Sequence, residues 1–473
     1  MKRLFGTDGV RGVANAELTV ELAVGLGRAG ALVLGERAEG PIVVGRDTRL
    51  SGPMLEAALV AGIASVGRDA VSIGIVPTPA VPCVVKSERA AAGVMISASH
   101  NPIADNGIKF FGADGFKLPD ELEDTIEALL SSETLPRPVG TSLGSARMAQ
   151  NLARHYYREL ETGAPDLTGL NTVVDAAFGA AYAIVPYVLR KLGASVTELH
   201  CENDGARINV NCGATDLRSL QETVRVKADS GTQGVIGVAF DGDADRALFV
   251  DETGKAITGD HVLFALASSL RAAGQLAGDT VVATVMSNFG LERALAGQGI
   301  RLVRTPVGDR YVLERMRADR YTLGGEQSGH VIDFRYNTTG DGPRTAITLL
   351  GIVAASGASL HELVANVVEL PQILLNVRAA NAEVLSEPSI ADEIARAQRE
   401  MEGWGRLMIR PSGTEPLIRV MAEGSDGPRT EQIALRIASR IESELARRGS
   451  AAPEGGLTFP PNGGDHRGVF RRA

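Results

Sequence analysis

Pro41-Ile42-Val43-Val44-Gly45, then a helix-patterned run over 51–67, then Ala70-Val71-Ser72-Ile73-Gly74-Ile75, is the stretch that decides the fold. Short, β-branched apolar runs of this kind read as strands buried on both faces. A helix between two of them implies a parallel βαβ unit. The same unit recurs twice. Asn171 to Asp175, a helix through Leu192 and the strand Ser195 to Leu199 form the second copy; Thr280 to Val285, helix 288–298 and the strand Arg301 to Arg304 form the third. A glycine or a Gly-Ala pair closes each helix before the next strand, as C-capping favours. Triplication of one α/β domain with mixed, largely parallel sheets is therefore expected. The remainder differs: strands at Gln372 to Val377, Arg406 to Arg410 and Leu417 to Ala422, with helices near 389–402 and 429–447, predict an α+β module with an antiparallel sheet. The divisions read as 1–150, 151–255, 256–368 and 369–447, with the Pro/Gly-rich segment 448–473 as a disordered tail that carries no chemistry.

Length and composition agree with several domains. A chain of 473 residues is too long for one core, and 44% hydrophobic with 22% charged residues is ordinary for a globular protein. A net charge of −9 argues against a dedicated nucleic-acid binder. An anionic substrate must then be caught by local groups. The three cysteines, Cys83, Cys201 and Cys212, form neither a disulfide framework nor a spacing typical of zinc ligands, which suits a reducing compartment. The N-terminus shows no signal peptide, and no apolar run approaches the ~20 residues of a membrane span. A soluble, cytoplasmic protein that binds neither nucleic acid nor membrane is the expectation.

Four motifs carry chemistry. The buried run Ala90 to Ile96 leads into Ser97-Ala98-Ser99-His100-Asn101-Pro102, which places Ser99 on an exposed turn at a strand end, where open α/β sheets bind ligands. Ser99 is a candidate nucleophile, although a capping serine would look the same. Nearby, Asn106-Gly107-Ile108-Lys109 sets a lysine in an apolar strand. Partial burial beside a cation would lower the pKa of Lys109 and suit it to general-base work, the alternative being a snorkelling lysine. The second motif, Asp241-Gly242-Asp243-Ala244-Asp245-Arg246, lies between the apolar strands Gly234 to Phe240 and Ala247 to Asp251. Three carboxylates in five residues repel one another unless solvated or neutralised, and oxygen-only ligands favour Mg²⁺. A calcium loop is excluded, because Arg246 stands where that loop requires glycine and a strand follows. An aspartyl-phosphate at Asp241 remains open as a rival to Ser99.

The third motif is Gly324-Gly325-Glu326-Gln327-Ser328-Gly329-His330, a glycine-flanked loop in which Glu326 and Ser328 suit sugar hydroxyls and His330 could carry a proton. The fourth is Arg410-Pro411-Ser412-Gly413-Thr414-Glu415-Pro416-Leu417-Ile418-Arg419. Ser412, Gly413 and Thr414 can form an anion nest, and Arg410 and Arg419 add guanidinium forks suited to phosphate. Gly25-Leu26-Gly27-Arg28-Ala29-Gly30 matches a dinucleotide fingerprint by letter, yet it follows a helix-patterned run instead of a strand, so helix packing explains it better.

With Phe5-Gly6-Thr7-Asp8-Gly9-Val10-Arg11-Gly12 added at the front, these motifs, in this order over about residues 1–447, resemble the α-D-phosphohexomutase superfamily, most closely its bacterial phosphoglucosamine mutases. The resemblance implies three related α/β domains and a fourth, different one around a central cleft. It implies Ser99 as a phosphoserine and Asp241, Asp243 and Asp245 as Mg²⁺ ligands together with a phosphoserine oxygen. Arg11, Lys109 and His330 would then serve the reacting oxygen. His100, Arg246, Glu326 and Ser328 would contact the sugar phosphate, and Arg410, Ser412, Gly413, Thr414 and Arg419 its non-reacting phosphate. The implied intermediate is glucosamine 1,6-bisphosphate or a related hexose bisphosphate, the partner a small sugar phosphate, and the assembly a monomer or homodimer. A glucose or mannose phosphate mutase, and a non-catalytic sugar-phosphate sensor, are the competing readings. Two departures stand out: Ile103-Ala104 where the family carries a bulky group, and Ala244 where it carries glycine, which would be strained by about 1 kcal/mol if the turn needs positive φ.

Overall fold

The computed structural model describes residues 3–6, 8–132, 134–379, 382–412 and 416–448. The expected tail lies outside the described residues from 449 onward, as do Gly413 and Thr414. The chain forms two compact units, one of Met1–Ser287 with Leu295–Asn366, the other of Asn288–Ala294 with the chain from Val367.

The first unit holds three sheets. Strands β1 (Val10–Val13), β2 (Ile42–Arg46), β3 (Ala70–Ile75), β4 (Ala92–Ile96), β5 (Asp105–Gly112) and β6 (Ala146–Met148) are ordered β1-β5-β4-β2-β3-β6. Strands β7 (Asn171–Asp175), β8 (Ser195–Leu199), β9 (Val235–Phe240), β10 (Ala247–Val250) and β11 (Ala256–Ile257) are ordered β11-β10-β9-β7-β8. Strands β12 (Thr280–Thr284), β13 (Arg301–Thr305), β14 (Leu323–Gly325) and β15 (Val331–Asp333) are ordered β13-β12-β14-β15. One pattern underlies all three. Each repeat has a central strand flanked by two parallel partners, and the later partner turns back into an antiparallel hairpin strand: β3-β2-β4-β5, β8-β7-β9-β10 and β13-β12-β14-β15. The triplication read from the sequence is present, and it extends one hairpin further than that reading. Gly67, Gly193 and Gly299 all have positive φ, which is why glycine ends each crossover helix.

Local rules account for the helices around the first sheet. Thr19 caps helix Val20–Gly35 by accepting from the Leu22 N–H at 3.2 Å. That helix crosses Gly52–Ser65 at paired glycines: a Cβ on Gly27 would lie 2.4 Å from the Leu59 carbonyl oxygen, and one on Gly62 would lie 2.3 Å from that of Val24. Backbone cannot yield as a flexible side chain can. The fingerprint-like glycines therefore serve helix packing, as expected.

The second unit contains β16 (Gln372–Arg378), β17 (Gly405–Pro411) and β18 (Leu417–Gly424) in the all-antiparallel order β16-β18-β17. Helices Pro388–Met401 and Gly427–Arg447 pack their apolar stripes on it, and Leu375, Val377, Val420, Ile433, Ile437 and Ile441 are each at most 1% exposed. Each such burial contributes about 1.5–3 kcal/mol. The expected α+β module is thus formed by its own core.

Candidate active site

Three of the four motifs occupy the same place in the three repeats. Ser97–Ala104 joins β4 to β5, Asp241–Arg246 joins β9 to β10, and Glu326–His330 joins β14 to β15. The turn that reverses each repeat's hairpin therefore supplies one part of the site. The fold brings the turns together: Ser99 Oγ donates to Asp241 Oδ2 at 2.6 Å, and Arg246 forms a β-bridge with His330. The sequence reading placed Ser99 on an exposed turn. Here it is corrected, because the Asp241 turn closes over the serine and leaves it only 1% exposed.

Ser99 is held by its backbone. Its φ is +52°, a left-handed conformation that costs a non-glycine residue about 1–2 kcal/mol and marks functional turns. Its N–H donates to Ser97 Oγ at 2.9 Å, and its carbonyl accepts from Arg49 Nη2 and Asn209 Nδ2, both at 2.9 Å. Arg49 is fully buried and also donates to the carbonyls of Asn101, Pro102 and Asp105 at 2.7–3.0 Å. Asp47 Oδ2 anchors it at 3.1 Å and accepts from Ser97 Oγ at 2.6 Å. Burial pushes the Asp47 carboxyl up to about 6, against the pull of Arg49 and Ser97. Sequence reasoning missed this pair. The signal was Asp47-Thr48-Arg49, charged residues directly after a buried strand and at the same strand ends as the motifs it did find.

The carboxylates of Asp241, Asp243 and Asp245 each offer an oxygen, all within 4.8 Å of one another, and each residue is at most 4% exposed. Asp243 Oδ1 and Asp245 Oδ1 are buried and accept no hydrogen bond. Burial, reinforced by the neighbouring carboxylates, raises the pKa of Asp241 well above the usual range and raises that of Asp245. Orphaned, mutually repelling oxygens of this kind fit a hard divalent cation. Ala244 at the turn has φ +54°, so the glycine-like conformation suspected there is real.

Lys109, 2% exposed, lies 3.0 Å from Asp243, 3.1 Å from Asp8 and 3.9 Å from Asp245. Burial alone would lower its pKa, but these carboxylates outweigh burial and raise it, which corrects the expectation of a lowered value. Asp8 extends the chain of charge. It accepts from Lys117 at 2.7 Å and pairs with Arg11, whose Nη1 donates to Asn101 Oδ1 at 3.2 Å. Gly9, with φ +81°, brings this segment within 2.4 Å of the Ile108 carbonyl, measured from the position of a Cβ. His330 Nε2 lies 3.4 Å from Asp309 and 3.9 Å from Asp245, and a Cβ on Gly340 would strike its ring at 2.3 Å. Asp8, Lys117 and Asp309 were not singled out from the sequence, since isolated charges give no periodic signal.

His100 lies beside the serine, its Nδ1 3.3 Å from Ser99 Oγ. Its pKa is lowered to about 4, first by desolvation in the crowded turn and then by Arg246 and Arg11, so the ring is neutral at pH 7. Arg246 Nε sits 3.8 Å from Asp245 Oδ1, and the Arg246 backbone N–H donates to Asp241 Oδ1 at 3.3 Å. Glu326 Oε1 accepts from the Gly308 N–H at 3.2 Å, and Ser328 Oγ is buried without a hydrogen-bond partner. In the second unit, Arg410 and Arg419 are directly opposite across β17 and β18. Like charges so placed repel. The Arg410 pKa is lowered by desolvation and by Arg419, which an anion between the forks would relieve. The Ser412 N–H donates to the Leu417 carbonyl at 2.8 Å and so closes the turn; Gly413 and Thr414 lie outside the described residues.

Three repeated α/β layers thus hold a serine against a buried carboxylate triad. The chain belongs to the phosphoglucomutase/phosphomannomutase family: its α/β/α domains I, II and III match residues 2–137, 154–254 and 258–370, and its C-terminal domain matches 374–440. Among curated proteins, the phosphoglucosamine mutase of Symbiobacterium thermophilum is 52% identical over 453 residues, covering 94% of this chain and all of that protein. That of Thermoanaerobacter sp. strain X514 is 50% identical over 451 residues, with the same coverage. Among solved structures, a phosphoglucomutase/phosphomannomutase family protein from Burkholderia thailandensis has a TM-score of 0.79 at 24% identity, over 97% of this chain and 100% of that one. The Aspergillus fumigatus N-acetylphosphoglucosamine mutase, solved with GlcNAc-6P and magnesium, has a TM-score of 0.64 at 18% identity, over 93% and 96%. At these identities the two structures show the fold. Among the described residues no helix is long and apolar enough to cross a membrane.

Proposed function

We propose that this enzyme is a phosphoglucosamine mutase, interconverting glucosamine 6-phosphate and glucosamine 1-phosphate through a phosphoserine at Ser99 and a hexosamine bisphosphate, in the supply of amino-sugar precursors for the cell wall. The contact of Ser99 Oγ with Asp241 inside the carboxylate cluster carries the reaction class. The half-identical relatives support the sugar.

In the first half-reaction the bond from phosphorus to Ser99 Oγ breaks, a bond from phosphorus to the free sugar hydroxyl forms, and the net proton passes from that hydroxyl to Ser99 Oγ, which already donates to Asp241. In the second half-reaction the bond from the other phosphorus to its sugar oxygen breaks, a bond from that phosphorus to Ser99 Oγ forms, and the proton returns from Ser99 Oγ to the sugar oxygen. Asp241, Asp243 and Asp245 would hold Mg²⁺ with an oxygen of the phosphorylated serine, and the ion when bound supplies neutralisation of charge on the transferred group. Lys109 and Arg11, both paired with Asp8, bring positive charge to the reacting oxygens. His330, between Asp245 and Asp309, would carry the proton. His100 and Arg246 flank the serine, and Glu326 and Ser328 hold the sugar. Arg410, Ser412, Gly413, Thr414 and Arg419 clamp whichever phosphate is not reacting. Divisions near 150, 255 and 368 would give each of the first three modules one of the hairpin turns and the fourth the arginine pair. The enzyme works in the cytoplasm as a monomer or homodimer.

Coupled turnover on glucosamine, glucose and mannose phosphates, with phosphopeptide mapping of active enzyme, tests this. Glucosamine phosphate should give the highest kcat/KM, and an acid-stable phosphate should map to Ser99. A preference for a neutral hexose reassigns the substrate, and an acid-labile phosphate at Asp241 replaces the phosphoserine mechanism.

A further inference from the structure

The first and second repeats end their central strands in the same way, but they meet the charge they bury with different side chains. After β2, Asp47 Oδ1 accepts the N–H of the residue two positions on, Arg49, at 2.9 Å. At the end of β7, Asp175 Oδ1 accepts the N–H of Ala177, also two positions on, at 3.0 Å. Both aspartates are 0% exposed. The second oxygen of Asp47 is met by the Arg49 guanidinium and by Ser97 Oγ. In the second repeat the residue two positions on is alanine, and Asp175 Oδ2 accepts no hydrogen bond.

That oxygen faces two further metal-binding side chains. His200, the residue after β8, places Nδ1 3.1 Å from it, in a geometry that makes an ion pair without a hydrogen bond. Cys212, 0% exposed, completes the group, and its Sγ, a His200 nitrogen and the Asp175 oxygen all lie within 4.8 Å of one another. Tetrahedral zinc, with bonds of about 2.0–2.3 Å, has ligand atoms roughly 3.3–3.8 Å apart, so only small shifts would bring the three onto one ion. The loops are pressed into place. Gly213, with φ +63°, would drive a Cβ to 2.4 Å from both Ala177 Cβ and the Phe240 carbonyl oxygen, and His200 at φ +50° packs its ring 4.9 Å from that of Phe178. About a quarter of the His200 side chain is exposed and gives an ion its way in.

We propose that Asp175, His200 and Cys212 form a second metal site, selective for a borderline-soft divalent ion such as Zn²⁺, distinct from the all-oxygen triad. Ligand chemistry separates the two: three carboxylates suit Mg²⁺, whereas thiolate, imidazole and carboxylate together suit Zn²⁺. Packing of Cys212 with Ala177 and Phe178 accounts for a buried thiol. It does not account for the approach of that thiol to within 4.8 Å of both an imidazole nitrogen and the second oxygen of a buried carboxylate, which pair with each other. Without metal, burial and Asp175 push the Cys212 thiol up to about 12, so binding would displace its proton. An ion there would tie the end of β7 to the 200–213 loop. Asn209 of that loop donates to the Ser99 carbonyl, and the Phe178 carbonyl accepts from Thr48 Oγ1 at 2.6 Å, so the site would brace the serine turn from behind.

The test uses the full chain, stripped with chelator and reloaded with Zn²⁺ or Co²⁺, then freed of excess metal. Wild type should retain an equivalent of zinc by elemental analysis and show a thiolate-to-cobalt charge-transfer band with Co²⁺. Cys212→Ser and His200→Gln should lose the retained zinc, and Cys212→Ser the band, with circular dichroism unchanged. Asp243→Asn, altered in the other cluster, should keep both. The proposal is overturned if wild type retains no zinc, if the band survives in Cys212→Ser, or if retention is lost in Asp243→Asn and kept in Cys212→Ser.

Discussion

Arg49→Met keeps the length of the side chain and removes the guanidinium hydrogen bonds that shape the Ser99 turn. The guanidinium serves four carbonyls, those of Ser99, Asn101, Pro102 and Asp105, at 2.7–3.0 Å, and Asp47 at 3.1 Å. Taken separately, four charged hydrogen bonds at about 1.5–3 kcal/mol each sum to about 6–12 kcal/mol. Asn101 and Pro102 lie near the surface, where water replaces part of what is lost. The net cost should fall nearer the ~3–5 kcal/mol of leaving one partner of a buried ion pair alone. At about 2–4 °C per kcal/mol for a domain of 150–250 residues, the first thermal transition should drop by roughly 6–20 °C. Below that transition kcat should fall about 100-fold, as for a nucleophile displaced by ~1 Å, with KM little changed because Arg49 orients Ser99, the proposed phosphoryl carrier. Arg49→Lys, with three donors in place of a fork, should recover only part of both losses. Calorimetry and steady-state kinetics on the three proteins decide it. A melting point within about 2 °C of wild type, with unchanged kcat, would refute the reasoning.

Asp47 makes stability depend on pH: with its folded pKa raised to about 6, its contribution is full below about pH 4 and is lost as pH rises through 6, on the order of 3 kcal/mol in all. Asp47→Asn should flatten urea-derived stability across that window, and an unchanged slope would move the titration elsewhere. Asp243→Ala removes a proposed ligand and a charge from the triad, so turnover should collapse while circular dichroism is preserved, and full activity in that variant or in excess chelator would take the metal out of the mechanism. Arg410→Ala should raise KM roughly 10–150-fold, the equivalent of one charge-assisted contact of about 1.5–3 kcal/mol, and an unaltered KM would place the phosphate clamp elsewhere. Gln327→Met should narrow the preference for glucosamine over glucose phosphate without abolishing turnover, since Glu326 can accept from an amino group or a hydroxyl alike; an unchanged ratio would relieve Gln327 of any part in specificity.

What this sequence determined alone was whatever is written within a few consecutive residues. The buried strands are continuous β-branched runs, and the Ala70–Ile75, Asn171–Asp175 and Ser195–Leu199 boundaries match residue for residue because glycine and polar residues punctuate them. The serine turn, the acidic triad and the arginine turn were legible for the same reason, each being one local stretch with its own chemistry. The tertiary structure alone decided that three hairpin turns, each about 80 residues or more from the next, come together, and that Ser99 is buried under Asp241. It also decided that Arg49 shapes that turn from 50 residues away, and that Asp8 and Asp243 hold Lys109 charged. Asp175, His200 and Cys212 carry no motif spacing at all, and only the parallel pairing of β7 with β8 and the tight turn at Gly213 bring them together. The physical reason is one of range: backbone preference and hydrophobic period act over a few residues, whereas burial, ion pairing and pKa depend on neighbours that the chain supplies from anywhere along its length.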